Sequence, residues 1–323
     1  MLNWLYTAYC LWLDDKKTKG AIMQIANPIY DSVFKYLLED RESAILLLSA
    51  IIEQPIEKLE LLPQEGIKCL EHQSLTVYRL DFSAKIKIGK NESKQVLIEI
   101  QKAKLPSDIM RFRRYLGEQY ASKNNHYTVC KKQKNNKTKE VTTPLPIITI
   151  YFLGYCLDHI KVPVIKVNRH YYDVVNKKEL INQKEIFIES LTHDSYIIQI
   201  SQLDRQQQTE IERLLTIFDQ HRHIATDNHI LELNEIDYPN KYHPLIRRLQ
   251  RAIAEPRIRR VMDIEDDYLE YLEDKERIIE EQSQAIEEQS QIIEEKDQTI
   301  EEKDQLIAEQ NRIIAELKKK NLK

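Results

Sequence analysis

Asp81, Glu99 and Gln101 are the residues whose types and spacing could best support chemistry on a bound metal ion. All three lie in the segment 77–102, where two runs of alternating apolar and polar residues flank a polar turn, the pattern of a β-hairpin. A turn centred near residue 90 or 91 places Asp81 opposite Glu99 or Gln101 on one face. The sequence therefore predicts two carboxylates and an amide at one end of a strand pair.

An acid inside an apolar strand is costly unless its charge is compensated, and two neighbouring acids also repel each other. A cation between Asp81 and Glu99 would relieve both costs. These carboxylates, with the carbonyl oxygen of Ile100, are hard donors that suit Mg²⁺ or Mn²⁺. Such a metal would activate a water molecule and stabilise charge on a phosphate under attack, while Gln101 would orient the water or the phosphate.

The spacing of these residues, Asp81 followed by Glu-x-Gln at the end of an apolar strand, resembles the PD-(D/E)xK nuclease motif. More narrowly, the chain resembles the PD-(D/E)xK nuclease family transposases, also called recombination-promoting nucleases, over residues 26–262. Gln101 stands where lysine is commonest in the wider superfamily. The matching segments are NPIYDSVFKYLLED (27–40), RLDFSAKI (79–86), VLIEIQKA (96–103), RFRRYLGEQY (111–120), IITIYFLGY (147–155) and LTHDSYIIQI (191–200).

This resemblance implies an α/β fold with an αβββαβ core like that of restriction endonucleases, extended by extra strands and helices. It implies a DNA endonuclease that depends on a divalent metal and serves transposition or recombination. Asp81, Glu99 and Gln101 would be catalytic, and Asp81, Glu99 and Ile100 would hold the metal. In the family the start of the first helix lies near the active site, which makes Asp31 and Lys35 secondary candidates. The alternative for that pair is an acid that favours a helix N-terminus and a solvated lysine.

Basic residues after the hairpin are candidates for contact with DNA phosphates. Arg111, Arg113, Arg114 and Tyr115 lie on a helix predicted from a Ser107 cap to about residue 124, with Gln119 and Tyr120 on the same side. Lys131 and Lys132 begin a predicted loop, 131–140, that is rich in lysine and asparagine. In each case the alternative is a solvated basic surface, with the tyrosines packed on the sheet.

Several other elements follow from apolar periodicity. The pattern predicts one helix from about Ile29 to Glu53, a buried strand over 144–155, further strands over 162–175 and 185–200, and a helix over 203–219. Residues 242–262 predict a helix pair broken at Pro256. This last segment has six arginines, which we expect to contact either DNA or the acidic tail: Arg247, Arg248, Arg251, Arg257, Arg259 and Arg260.

The tail has a seven-residue repeat, which predicts a long helix that forms a coiled coil through residues 271–317. An invariant column consists of Ile279, Ile286, Ile293, Ile300, Ile307 and Ile314. A mixed column precedes it and consists of Ile278, Ala285, Ile292, Thr299, Leu306 and Ile313. A polar column lies three residues after the invariant one and consists of Gln282, Gln289, Lys296, Lys303 and Gln310, followed by Leu317. Because of the polar column, a single solvated helix is the alternative.

Charge and composition narrow the function further. Residues 264–323 have 19 acids and nine bases, a net charge of −10, so the total of −4 leaves residues 1–263 at +6, which suits a polyanionic partner. The sequence has no GxGxxG motif and no P-loop. The dispersed cysteines at 10, 69, 130 and 156 are typical of reduced thiols in a cytoplasmic protein. His221, His223 and His229 lack the carboxylate pattern of a metal site and are interpreted as surface residues.

The resemblance begins just after Met23, which implies that residues 1–22 are an upstream extension, with a short membrane-surface anchor as the alternative. A nuclease-like domain over 23–263 and a coiled coil over 264–323 follow. The apolar run at 2–13 is too short to span a bilayer, so no membrane partner is expected. DNA and a second copy of the chain are the expected partners. Two alternatives to a nuclease remain: a weakly catalytic nuclease fold that binds DNA, and a scaffold protein that works through its coiled coil.

Overall fold

The computed structural model describes residues 22–62, 65–69, 75–79, 82–88, 92–102, 106–123, 125–132, 138–181, 183–203 and 209–320. It is a mixed α/β structure that ends in a long helix. The chain divides into two units, with the division between Met262 and Asp263. Most of the predicted extension, residues 1–21, lies outside the described part, and the first described strand begins at Ile22.

The strands are β1 (Ile22–Ala26), β2 (Lys58–Leu61), β3 (Glu65–Cys69), β4 (Leu75–Arg79), β5 (Phe82–Ile88), β6 (Glu92–Gln101), β7 (His126–Lys132), β8 (Thr138–Pro144), β9 (Ile147–Leu153), β10 (Val164–Val167), β11 (Tyr172–Asp173), β12 (Lys178–Glu179), β13 (Asp194–Gln199), β14 (His223–Ile224) and β15 (Asp227–Asn234). The α-helices are α1 (Asp31–Glu39), α2 (Arg41–Ile52), α3 (Pro106–Ala121), α4 (Ile186–Leu191), α5 (Glu210–Leu215), α6 (His243–Ile253) and α7 (Pro256–Lys320).

A six-stranded mixed sheet in the order β10–β13–β9–β6–β5–β2 organises the first unit. Strands β2, β5 and β6 are antiparallel, whereas β6, β9 and β13 run parallel to one another. Helix α3 precedes β9, as expected because a parallel pair needs a crossover connection. A three-stranded sheet has the order β1–β15–β14.

Strand β6 is buried on both faces because alternate side chains enter two different cores. Val96, Ile98 and Ile100 belong to the main core, which also contains the apolar faces of α1, α2 and α6. Leu97 points the other way and packs with Phe112 and Tyr115 of α3 and with Ile147. A strand covered on both sides has no solvated face, so any polar side chain on it needs a partner inside the protein.

The single helix predicted over residues 29–53 is wrong, because the chain forms α1 and α2 there. Asp40 has an extended backbone with φ −77° and ψ 110°. Its carboxylate accepts hydrogen bonds from the backbone N–H of Ser43 at 3.0 Å and from the Ser43 hydroxyl at 2.6 Å. This N-cap starts a second helix and ends the first.

Other predicted elements also differ. Residues 185–200 contain α4 before β13 rather than strand throughout. The described part of 203–219, which is residue 203 and residues 209–219, contains the short helix α5, capped by Thr209, and a 3₁₀ turn rather than one long helix. Ser107 lies inside α3 rather than capping it, since α3 begins at Pro106. The buried strand within 144–155 and the helix break before Pro256 are confirmed.

Helix α7 runs over 65 residues without interruption, as the absence of glycine and of any proline after its first residue, Pro256, favours. Its apolar columns are exposed along the second unit; Ile286, for example, is 64% exposed. Among the described residues, no helix combines the length and apolar character needed to cross a membrane.

Arg169 holds the start of β13 and the end of α4. Its Nε donates to Asp194 Oδ1 at 3.0 Å, its Nη2 to Glu189 Oε2 at 2.8 Å and its Nη1 to the Thr192 carbonyl at 3.0 Å. Burial raises the pKa of the Asp194 carboxyl, but the hydrogen bonds and charge of Arg169 outweigh that effect. The pKa of Asp194 therefore lies below its ordinary value of 3.8.

A carboxyl group with a lowered pKa stabilises the folded state above its unfolded-state pKa, and that stability is lost as the pH falls through the folded-state pKa. We therefore expect Asp194→Asn to be less stable than the parent at pH 7 and to approach it below about pH 4. Urea unfolding between pH 3 and pH 7 measures this difference. Asp267→Asn, on the exposed tail, is the control, and a pH-independent difference for Asp194→Asn would contradict the expectation.

Gly154 is required by a close backbone approach at the end of β9. Its N–H donates to the Gln101 carbonyl at 2.8 Å, and a Cβ atom at this position would lie 2.4 Å from the carbonyl oxygen of Lys102. Gly154→Ala should therefore force the two chain segments apart and lower the free energy of unfolding by about 1–3 kcal/mol.

Gly117 provides a matched control because it lies on α3 and a Cβ there would contact nothing within 4 Å. We expect Gly117→Ala to stabilise the protein by about 0.5–1 kcal/mol, since alanine loses less entropy in a helix. Denaturant unfolding of both variants measures the contrast. Equal effects of the two substitutions would contradict the close approach at Gly154.

Candidate active site

Glu99 and Gln101 lie at the carboxyl end of β6, in the middle of the main sheet. Because they are two residues apart on a strand, they share the face opposite to Ile98 and Ile100. The Glu99 side chain is 1% exposed and Gln101 is 8% exposed. The structure therefore places two polar side chains of the predicted site together in a buried position.

Asp81 lies outside the described residues, so its approach to Glu99 remains a prediction. The described register of the hairpin pairs Phe82 with Ile98, which corresponds to a turn centred at residue 90. Ile100, the third predicted metal ligand, pairs with Phe152 in the β6–β9 ladder, and its side chain faces the main core. Only its backbone carbonyl is therefore a candidate ligand.

Arg111 on helix α3 compensates the buried carboxylate. Its Nη2 donates to Glu99 Oε1 at 3.0 Å, and the Arg111 side chain is 41% exposed while Glu99 is almost completely buried. The pairing arises because Phe112 and Tyr115 fasten α3 to the sheet, which brings Arg111 over β6. A charged hydrogen bond of this kind is stronger than a neutral one.

Tyr151 is the residue paired with Glu99 on the neighbouring strand β9. Burial raises the pKa of its hydroxyl strongly, a hydrogen bond with Thr149 lowers it in part, and the negative charge of Glu99 raises it further. The ring packs against Phe112 with centroids 4.5 Å apart. Tyr151 therefore stays neutral and provides an apolar wall beside the carboxylate.

Gln101 is held by Tyr155, whose hydroxyl donates to Gln101 Oε1 at 3.0 Å. The bond uses the amide oxygen and thereby orients the amide group. Sequence reasoning did not single out Tyr155, although it lies in the segment 147–155 that carries the family resemblance. Nothing in local periodicity distinguishes this tyrosine from those in the core.

The start of α1 lies beside the end of β6. Lys102 Nζ lies over the ring of Tyr30, 3.0 Å from its centroid, in a cation–π contact. Asp31, the next residue, forms an ion pair with Lys35, whose side chain is largely buried. The structure thus brings the secondary candidates Asp31 and Lys35 to the same end of β6 as Gln101.

The candidates for DNA contact fall into different environments. Arg113 and Arg114 are exposed on α3, whereas Arg111 contacts Glu99 and Tyr115 is 5% exposed in the core beneath α3. The Tyr115 ring is therefore packed on the sheet, as in the alternative interpretation. The predicted loop at 131–140 is wrong in part, because Lys131 and Lys132 end strand β7, which pairs with β8.

Several of the arginines near α6 have partners inside the first unit. Arg248 Nε donates to the Tyr36 carbonyl at 2.7 Å, Arg247 pairs with Glu235, and Arg259 pairs with Asp227. Arg248 thereby fastens α6 to α1. These three arginines have a structural role that their density in the sequence did not indicate.

The interpretation of the three histidines as surface residues is confirmed for His221 and His223 but is wrong for His229, whose side chain is only 12% exposed. His221 contacts Asp219 at 2.8 Å, and His229 lies edge-on to Tyr30 with ring centroids 5.0 Å apart. Within the described residues, which exclude Asp81, no group of three or more His, Cys, Asp or Glu is arranged to hold a metal.

Arg111→Ala should destabilise the protein, because it removes a charged hydrogen bond from the buried Glu99 carboxylate. We expect a loss of about 1–3 kcal/mol in the free energy of unfolding, measured in urea. Arg113→Ala, two residues along the same helix and exposed, is the control and should change stability by less than about 0.5 kcal/mol. Equal losses in the two variants would show that the Glu99 contact contributes nothing specific.

No protein-family model, curated protein or solved structure matches this chain. Proposals about its activity therefore rest on its own residues and on the sequence resemblance.

Proposed function

We propose that the protein is a metal-dependent DNA endonuclease of the PD-(D/E)xK transposase, or recombination-promoting nuclease, type. The observation that carries this proposal is the pair of buried polar side chains, Glu99 and Gln101, on one face at the carboxyl end of the central strand β6. A buried carboxylate costs free energy that an ordinary core position would avoid. Its presence there favours a functional role over a purely structural one.

The order of elements around β6 supports the proposal. Along the chain, helices α1 and α2 precede β2, β5 and β6, which are antiparallel neighbours in the main sheet. Helix α3 follows β6, and β9, which pairs parallel with β6, comes after α3. We interpret this arrangement as the αβββαβ core that the resemblance implies. Strands β10 and β13 and the hairpins β3–β4 and β7–β8 would then be additions to it.

The donor set fits Mg²⁺ or Mn²⁺. Glu99 offers a carboxylate and Ile100 a backbone carbonyl, with Asp81 as the expected second carboxylate, and all are hard oxygen donors. When bound, such a metal supplies a polarised water molecule and stabilises negative charge on a phosphate. Gln101, held by Tyr155, would orient the water or a phosphate oxygen, and Arg111 would balance charge at Glu99.

DNA is the proposed substrate. The net charge of +6 over residues 1–263 favours a polyanion. Arg113 and Arg114 are exposed on the helix that carries Arg111, so they are placed to contact phosphates flanking the site. Lys131 and Lys132, at the end of β7, are further candidates for contact with phosphates. We expect the protein to act in the cytoplasm.

Cleavage of supercoiled plasmid with Mg²⁺, Mn²⁺ or EDTA tests the proposal. Asp81→Asn and Glu99→Gln keep side-chain size and remove one charge each, so we expect each to lower the cleavage rate at least about 100-fold. Glu92→Gln, an exposed acid at the start of the same strand, is the control and should cleave like the parent. Thermal unfolding confirms that each variant is folded.

Cleavage that survives both substitutions would overturn the assignment of the site. A folded parent that binds DNA without cleaving it under any metal would instead favour the alternative of a nuclease fold that works as a DNA-binding protein. A folded parent that neither binds nor cleaves DNA would favour the scaffold alternative.

A further inference from the structure

We propose that the tail of this protein pairs with the tail of a second copy in the antiparallel direction, aligned so that Lys275 lies beside Ile314 of the second copy. This proposal rests on the self-association expected of the coiled coil and does not depend on nuclease activity. Four observations favour it: the exposure of the apolar columns, the composition of the polar column, the sizes in the mixed column, and the distribution of charge.

The apolar columns of α7 need a partner. The isoleucines of the invariant column at 279, 286, 293, 300, 307 and 314 are each between 48% and 64% exposed. They form a continuous stripe through six heptads, far more than the scattered apolar residues that a solvated surface normally carries. A second copy presents the same periodic stripe over the same length, so it is the partner whose repeat matches.

The polar column disfavours a parallel pair in register. With the invariant isoleucines at heptad position a, the polar column occupies position d, and the mixed column occupies position g. In a parallel pair in register, each d residue faces its own copy, which places Lys296 against Lys296 and Lys303 against Lys303 in consecutive layers. In an antiparallel pair, position a faces position d, so each lysine lies against an isoleucine, along which its aliphatic stem can pack.

The mixed column selects one antiparallel alignment. In such a pair the g residues of the two helices flank each other, and the alignment proposed here brings Ala285 to Leu306 and Ile292 to Thr299. Each small residue therefore meets a large one, and Ile278 meets Ile313. A shift of one helix by one heptad places Ala285 against Thr299 of the second copy, and a shift in the other direction places Thr299 against Thr299. Either shift brings two small residues together and leaves space between the helices.

The charge distribution is complementary only in the antiparallel direction. Residues 264–276 have seven acids and one base, whereas residues 312–323 have five bases and one acid. Antiparallel pairing brings the basic end of one tail to the acidic start of the other. Parallel pairing would place acidic segments together and basic segments together, at a cost in repulsion.

Cross-linking of the unmodified full-length protein tests the direction. Lys275 and Lys318 are 43 residues apart, or about 64 Å along one helix, beyond the reach of a short amine-reactive cross-linker. We expect a dimer by light scattering and a Lys275–Lys318 cross-link that is mixed in isotope content when ¹⁴N- and ¹⁵N-labelled proteins are combined. A monomer would overturn both the association and its direction.

A dimer with mixed-isotope Lys275–Lys275 and Lys318–Lys318 links, and without the Lys275–Lys318 link, would overturn the antiparallel direction alone. Neither result bears on plasmid cleavage, so the failure of this proposal is distinguishable from the failure of the proposed nuclease. Raising the salt concentration should weaken the dimer, because the complementary ends are exposed and screened.

An exchange of side chains tests the alignment. Ala285→Leu and Leu306→Ala should each weaken dimerisation about tenfold or more, whereas the double variant should recover most of the parent affinity because the pair is only reversed. Ala308→Leu, on the same helix but outside the three columns, is the control and should leave dimerisation unchanged. Additive losses in the double variant would overturn the proposed alignment.

Discussion

A carboxylate buried at the end of a strand that is covered on both faces is the constraint on which the first unit depends. Glu99 cannot reach bulk solvent, because α3 lies over one face of β6 and the main core lies against the other. Its charge must therefore be met inside the protein, and Arg111 meets it. Helix α3 packs on the sheet through Phe112 and Tyr115, and the same helix therefore supplies the compensating charge of Arg111.

The end of β6 is positioned by backbone as much as by side chains. Gly154 allows β9 to pass close to Lys102 and to hydrogen-bond the Gln101 carbonyl. The next residue, Tyr155, then reaches the Gln101 amide. Tyr30 beneath Lys102 brings α1 to the same place, so three separate segments converge on the end of one strand.

Basic residues of the first unit divide into structural and exposed groups. Arg169, Arg248 and Arg259 each have carboxylate or carbonyl partners, which makes them part of the framework even though the Arg259 side chain is 50% exposed. Arg113 and Arg114 are exposed on α3. A positive net charge is therefore a poor guide to which arginines face a ligand, since burial and hydrogen bonding decide it. In the second unit, by contrast, the exposed residues include the apolar ones, which repeat along α7.

The sequence by itself determined what depends on local periodicity and composition: the β5–β6 hairpin, the buried strand β9, the break before Pro256 and the long helix α7. It also indicated Glu99 and Gln101, because polar residues in an apolar strand are visible in alternation alone. Only the tertiary structure decided the pairing of Glu99 with Arg111, the burial of Tyr115 and the contact between Tyr155 and Gln101. These contacts join residues that are distant in sequence or on different elements, and no periodic pattern records them. The division of the first helix at Asp40 was decided by a side-chain cap that competes with helix continuation, a balance that apolar spacing does not report.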